Sequence, residues 1–215
     1  MRVVFGGTFD PVHIGHLRMA NELASYLSLD KVYLMPCFRA VHKQGVGASS
    51  EHRLNMLALA LESDNSIALD DRESQRGQAS YTIDSLQELR QEVGCEPLCL
   101  VMGTDVAKGL ASWLRIDEFS KLTNIIVIRR PDEQYSGLDK ERMLEQSLEA
   151  LSFSPAATVE DIKMASAGKY IMINLTALEV SSSHIRKSVK QGLSIRYLVT
   201  DAVREYICDN ALYQN

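Results

Sequence analysis

A doubly wound α/β fold is predicted by three observations. Strand-like and helix-like segments alternate along the chain, the strand-like ones are short apolar runs, and a glycine-rich loop joins the first of them to the first helix. Unbroken apolar runs suit parallel strands covered on both faces. Their alternation with amphipathic segments gives a mostly parallel, Rossmann-like sheet with helices on both faces and a helical segment at the C-terminal end. Ligands in such sheets bind beyond the carboxyl ends of the strands, which is where the glycine loop lies.

Strands are expected at Arg2 to Phe5, Lys31 to Met35, Ile67 to Leu69, Leu98 to Met102, Asn124 to Ile128 and Tyr170 to Asn174. Between them, Ile14 to Leu29 lines up Leu17, Ala20, Ala24 and Leu27, and Glu51 to Leu61 lines up Leu54, Leu57, Ala58 and Leu61. Thr82 to Val93 starts at an N-cap residue type and places Ile83, Leu86 and Leu89 on one face. A further helix is expected over Leu138 to Leu151, followed by a link through Ser154-Pro155, and two more from Val180 onward around Gly192. Arg39 to Ser50 reads as a mobile polar loop over the site, and Asp132 to Ser136 as a surface turn.

The 215 residues fit one domain, 1–215, whose helical part 180–215 carries a second motif. A net charge of -5, with Arg129-Arg130 and Arg186-Lys187 as the notable basic pairs, excludes a general nucleic-acid binder. No apolar run is long enough to span a membrane. The first strand opens at Arg2, leaving no room for a targeting peptide, so the cytoplasm is expected. The four cysteines lack C-x-x-C spacing and read as buried or neutral thiols in a reducing compartment.

The chemistry concentrates in Phe5-Gly6-Gly7-Thr8-Phe9-Asp10-Pro11-Val12-His13-Ile14-Gly15-His16. A helix N-terminus offers free backbone N–H groups to an anion, and glycine lets a phosphate approach the main chain. His13 and His16 add imidazole donors on the same edge. Zinc would need a third and fourth ligand at sensible spacing, and none is evident. Far along the chain, Val180-Ser181-Ser182-Ser183-His184-Ile185-Arg186 sets serines at a helix start with an arginine one turn in, a second grip for phosphate.

The first segment resembles the H-x-G-H signature of the nucleotidylyltransferase superfamily, and the second is similar to its I-S-S-T-x-I-R pattern. Ser80-Tyr81-Thr82-Ile83-Asp84-Ser85-Leu86 resembles the S-Y-T-x-x-T-L element of bacterial nicotinate mononucleotide adenylyltransferases. Gly103-Thr104-Asp105 with Trp113 resembles their G-x-D…W segment, and Asn124 to Pro131 resembles their strand ending in R-R-P or R-P. The resemblance runs in order from residue 2 to Leu212-Tyr213.

That resemblance implies an enzyme that transfers the adenylyl group of ATP to nicotinate mononucleotide, giving deamido-NAD and pyrophosphate. It assigns His13, His16, Ser182, Ser183 and Arg186 to the triphosphate and its transition state, with His16 at the α-phosphate. Gly6, Gly7, Thr8 and Phe9 are expected around the phosphate bridge. Gly103 is expected among the ATP-binding residues, Asp105 at ribose hydroxyls, and Arg130 near adenosine or a phosphate. Trp113 is expected to stack on the nicotinate ring rather than pack a core, with main chain near Thr82 meeting the ring's carboxylate. Thr8, His42 and Lys43 complete the acceptor side. Relatives often carry P-P-H-K where this chain reads Arg39-Ala40-Val41-His42-Lys43, and an aromatic where it has Leu114. Magnesium is expected on the ATP phosphates rather than in a protein cage. His184 and His52 receive no role, His52 reading as a solvated residue at a helix start.

Nicotinamide mononucleotide and phosphopantetheine remain alternative acceptors, although phosphopantetheine enzymes are usually shorter and lack the S-Y-T and Trp elements. A class I aminoacyl-tRNA synthetase is excluded by the missing K-M-S-K-S loop and the acidic balance. A nucleotide-binding regulator without turnover is the non-enzymatic reading. Whether the chain is a monomer or a homo-oligomer is left open by the sequence.

Overall fold

A computed structural model describes residues 1–38, 47–79, 81–129, 138–176 and 178–214. His42, Lys43, Arg130, Ser80, most of the 39–50 loop and the 132–136 turn lie outside the described residues.

In chain order the elements are β1 (Arg2–Gly7), α1 (Ile14–Tyr26), β2 (Val32–Pro36), α2 (Ser50–Leu61), β3 (Ile67–Leu69), α3 (Arg72–Arg76) and α4 (Thr82–Val93). Then follow β4 (Leu98–Gly103), α5 (Thr104–Ala107), α6 (Phe119–Leu122), β5 (Asn124–Arg129), α7 (Leu138–Ala150), β6 (Ser154–Pro155), α8 (Val159–Met164), β7 (Lys169–Asn174), α9 (Ser182–Lys190) and α10 (Asp201–Asp209). All six expected strands form, within two residues of their expected ends. Ser154-Pro155 is a two-residue strand rather than a link, because it pairs in parallel with Lys169 and Tyr170.

By its contacts the chain groups into two compact units. The first comprises Met1–Gly6 and Tyr81–Thr176. In it β1, β4, β5, β7 and β6 neighbour one another in that order, every ladder parallel. Val3, Val4, Leu98 to Met102 and Ile125 to Ile128 are buried without alternation, as strands covered on both faces require. Each such side chain contributes about 1.5–3 kcal/mol relative to exposure. On α4, Ile83, Leu86 and Leu89 are fully buried as the periodicity predicts. The helix does not start on a side-chain cap, however: Tyr81 holds the N-cap position and its side chain bonds nothing there.

The second unit comprises Gly7–Ser80 and Ala177–Asn215. Strands β2 and β3 pair in parallel, Val32 opposite Ile67. The α1 stripe buries Ala20, Leu23, Ala24 and Leu27, but the helix ends at Tyr26 because Ser28 turns to a positive φ of 51°. On α2 the stripe is rotated from expectation: Ala58 is exposed, and Arg53 points inward with Met56, Leu57 and Ala60. Ser50 is already helical, capped by the Ser49 hydroxyl, which accepts from the His52 amide at 3.2 Å. His52 is not simply solvated, since its Nδ1 lies 3.0 Å from the Tyr206 hydroxyl of α10. Asn55 donates to the same hydroxyl at 3.0 Å.

The four cysteines are free, with Cys99 buried and Cys37 partly so, whereas Cys95 and Cys208 lie at the surface. Burial pushes the Cys99 thiol up to about 12, so it is inert at neutral pH. Among the described residues no helix is long and apolar enough to cross a membrane.

Candidate active site

The glycine loop leaves β1 at Gly7 and enters α1 at Ile14. Phe9 sits in the left-handed region at φ 48° and buries its ring beneath the loop. A Cβ on Gly7 would lie 2.8 Å from that ring, so glycine is required there by contact. Arg53, 2% exposed, ties the loop from below. Its Nη1 donates to the carbonyls of Thr8 and Cys37, both at 2.7 Å, and its Nη2 donates to that of Phe38 at 2.8 Å. One buried guanidinium thus fixes both the glycine loop and the end of β2.

At the mouth of α1 the rings of His13 and His16 stack, centroids 3.7 Å apart and planes 20° apart. The Phe9 ring meets His16 edge-on at 4.9 Å. A Cβ on Gly15 would come within 3.0 Å of His13 Nδ1, which gives the glycine of H-x-G-H its physical reason. Burial lowers the His13 pKa to about 4, so this imidazole is neutral at physiological pH. Its Nδ1 is buried and has no hydrogen-bond partner among the described residues. Such a nitrogen is one a ligand atom or water can satisfy.

The second motif meets the first. Ser181 caps α9, its hydroxyl accepting from the His184 amide at 3.2 Å. Ser182 Oγ donates to the Pro11 carbonyl at 2.9 Å. Arg186 Nη1 donates to the Asp10 carbonyl at 2.7 Å, and its Nη2 lies 3.4 Å from Ser183 Oγ. Neither α1 nor α9 carries an acid in its first turn, whereas α2, α4, α8 and α10 each do. The positive ends of α1 and α9 therefore carry no compensating acid of their own.

Asp10 is the hub. Its carboxylate, 3% exposed, accepts from the Gly47 amide at 2.8 Å, the Ala48 amide at 3.1 Å and the Tyr213 hydroxyl at 2.7 Å. Arg186 Nη1 stands 3.6 Å from its Oδ2. Burial and the Asp10 charge push the Tyr213 phenol far above its usual range, so it stays a donor.

Asp10, Arg53 and Tyr213 were not among the sequence candidates. Asp10 lies inside the motif and could have been singled out as the acid among apolar and glycine neighbours. Arg53 carries no local signal, and Tyr213 closes the family resemblance without a pattern that names its partner.

The remaining described candidates belong to the other unit. Gly6 lies in β1, Gly103 closes β4 and precedes α5, and Asp105 stands exposed in the first turn of α5. Thr82 opens α4. Trp113 is half-buried, its ring edge-on to Phe119 with centroids 6.0 Å apart. It is no core residue, and Leu114 beside it is 49% exposed.

Among the described residues no three His, Cys, Asp or Glu side chains converge to hold a metal ion. The cytidylyltransferase-like family matches residues 4–188. A protein of Cellvibrio japonicus described as a probable nicotinate-nucleotide adenylyltransferase is 40% identical over 212 residues, 98% of this chain and 97% of its own. A protein of Hahella chejuensis with the same description is 42% identical over 213 residues, covering 98% and 94%. Among solved structures, the Plasmodium falciparum nicotinic acid mononucleotide adenylyltransferase complexed with NaAD superposes with a TM-score of 0.71 over 98% of this chain and 96% of its own. At 20% identity, that likeness is one of fold. The chain belongs to the cytidylyltransferase-like family and, within it, to the nicotinate-nucleotide adenylyltransferases.

Proposed function

We propose that His13, His16, Ser182, Ser183 and Arg186 carry adenylyl transfer from ATP to nicotinate mononucleotide, the reaction of this family in NAD biosynthesis. The products are deamido-NAD and pyrophosphate. The observation that carries this reading is the meeting of the two motifs: Arg186 and Ser182 of α9 bond the main chain of Asp10 and Pro11, immediately before His13. Two helix starts without first-turn acids and a guanidinium are thereby gathered about one loop.

In-line displacement needs an acceptor phosphate oxygen opposite the departing pyrophosphate, with charge neutralised as it shifts. No protein nucleophile is required. His13 is neutral, so it meets a phosphate oxygen as a hydrogen-bond donor rather than as a cation. His16 reaches the α-phosphate, where charge builds in the transition state. Arg186 offers Nη2 to the phosphates while Nη1 is held by Asp10. The loop at Gly6, Gly7, Thr8 and Phe9 lies against the phosphate bridge. Magnesium carried on the ATP phosphates would offset part of their charge. On the acceptor side, Trp113 stacks on the nicotinate ring and main chain near Thr82 receives its carboxylate. Asp105 takes ribose hydroxyls, with Gly103 beside it. His42, Lys43 and Arg130 keep the roles the resemblance gives them.

The test is pyrophosphate release with ATP and magnesium, offering nicotinate mononucleotide, nicotinamide mononucleotide or phosphopantetheine. Preference for the nicotinate form is expected. Preference for another acceptor keeps the phosphate chemistry and overturns the acceptor assignment. No release with any of them overturns the enzyme reading. A His16→Ala variant is expected to fold and bind acceptor while turnover collapses.

A further inference from the structure

The segment after α10 does not trail away from the phosphate site but returns to it. Leu212 is buried and its amide bonds the Ile207 carbonyl at 3.0 Å. Ala211 and Tyr213 adopt positive φ values of 49° and 63°. Non-glycine residues hold such conformations only where surrounding contacts impose them. Here the contacts converge on the Tyr213 side chain. A Cβ on Gly47 would fall 2.9 Å from Tyr213 ring atoms and 2.9 Å from Arg186 Cδ, so ring, Gly47 backbone and arginine stem pack together. The hydroxyl ends on Asp10 Oδ1 at 2.7 Å.

A guanidinium beside a carboxylate ordinarily closes on it with two parallel hydrogen bonds. Arg186 does not. Its Nη1 donates to the Asp10 carbonyl and stays 3.6 Å from the carboxylate, whose oxygens already accept from Tyr213, Gly47 and Ala48. We infer that Tyr213 is a positioning residue for nucleotide binding: its hydroxyl occupies the Asp10 carboxylate and so keeps Arg186 from folding onto it, leaving the guanidinium turned to the phosphates. Without that hydroxyl, Asp10 Oδ1 keeps only the Ala48 amide and gains a vacant acceptor site that an arginine N–H can take.

This inference rests on the assignment of Arg186 to ATP, and its test separates the two. ATP affinity is measured by calorimetry without acceptor for the wild type, Tyr213→Phe, Arg186→Ala and the double variant, together with thermal midpoints. Turnover with nicotinate mononucleotide is measured in parallel. Tyr213→Phe is expected to weaken ATP about tenfold, with the apparent affinity for the acceptor within about twofold and the midpoint nearly unmoved. On the Arg186→Ala background the same change is expected to do nothing further. Wild-type ATP affinity in Tyr213→Phe overturns the inference. So does a tenfold loss that persists in the double variant, since Tyr213 would then act independently of Arg186. A lowered midpoint with equal losses in every constant makes Tyr213 structural and overturns it too. If the wild type binds ATP but does not use nicotinate mononucleotide, the acceptor assignment fails while the four affinities still decide the role of Tyr213. An Arg186→Ala protein that binds ATP as the wild type does defeats the phosphate assignment of Arg186 and this inference with it.

Discussion

His13 and His16 stack face to face at 3.7 Å, and the residue that permits this is Gly15, whose missing side chain leaves room for the His13 ring. Two imidazolium ions so close would repel strongly outside water. Burial keeps His13 neutral, which spares the stacked pair that repulsion. The spacing of the motif is a packing requirement first and a chemical one second.

Gly15→Ala tests that order. A methyl group 3.0 Å from Nδ1 and 3.1 Å from Cε1 forces the His13 ring to shift and disturbs the stack. Misplacing a reacting group by about 1 Å can cost on the order of a hundredfold in rate. Turnover is expected to fall by about that factor. Alanine's helix propensity gives back up to about 1 kcal/mol of stability, so the thermal midpoint should change little. Unimpaired turnover would mean that the stack is irrelevant to catalysis.

Stability should depend on pH through His13. Its folded pKa of about 4 lies below the unfolded value of 6.5, so between the two the unfolded chain binds more protons. The His13 contribution is complete above pH 6.5, declines as pH falls toward 4, and is flat below that. Thermal midpoints across pH 7 to 4, compared with those of His13→Gln, isolate this effect. The wild-type curve should fall more steeply than the variant's. Parallel curves would show that His13 titrates normally in the folded protein.

Much of this was legible in the sequence, for reasons that differ element by element. The runs Leu98 to Met102 and Ile125 to Ile128 declared buried parallel strands because nothing but a two-sided core tolerates them. The two phosphate motifs were legible because close approach and charge restrict the residue types allowed. Arg53 was not, because an arginine in a helical stretch reads as solvated. Its burial is dictated by three carbonyls contributed by Thr8, Cys37 and Phe38, which no local pattern discloses. The same cause rotated the α2 stripe away from Leu54 and Ala58. Tyr213 was hidden likewise, since its partner Asp10 is distant in sequence. The short helix α8 escaped notice although Thr158 and Asp161 form a reciprocal capping box, a signal the sequence did contain.

Arg53→Met should therefore be costly despite its apolar character. Methionine fills part of the space but leaves three carbonyls without their donor. Orphaned buried acceptors cost about 1–3 kcal/mol each, less whatever water recovers. A loss of roughly 3–5 kcal/mol is expected by urea denaturation, with Arg53→Lys intermediate because one ammonium cannot span the acceptors the fork reaches. A methionine variant as stable as the wild type would show that water already competes for these carbonyls.

Trp113 presents the opposite problem, a large aromatic that the core does not claim. Its edge meets Phe119 at 6.0 Å, an arrangement worth only about 0.5–1.5 kcal/mol, and Leu114 beside it is exposed. Stacking of an aromatic side chain on a heteroaromatic base is worth about 1–3 kcal/mol. If the nicotinate ring stacks there, Trp113→Ala should raise the KM for nicotinate mononucleotide about ten- to a hundredfold while kcat and the KM for ATP change little. Trp113→Phe, which keeps a smaller face, should fall between. Loss of thermal stability with an unchanged acceptor KM would assign Trp113 to Phe119 alone and leave the nicotinate ring to other residues.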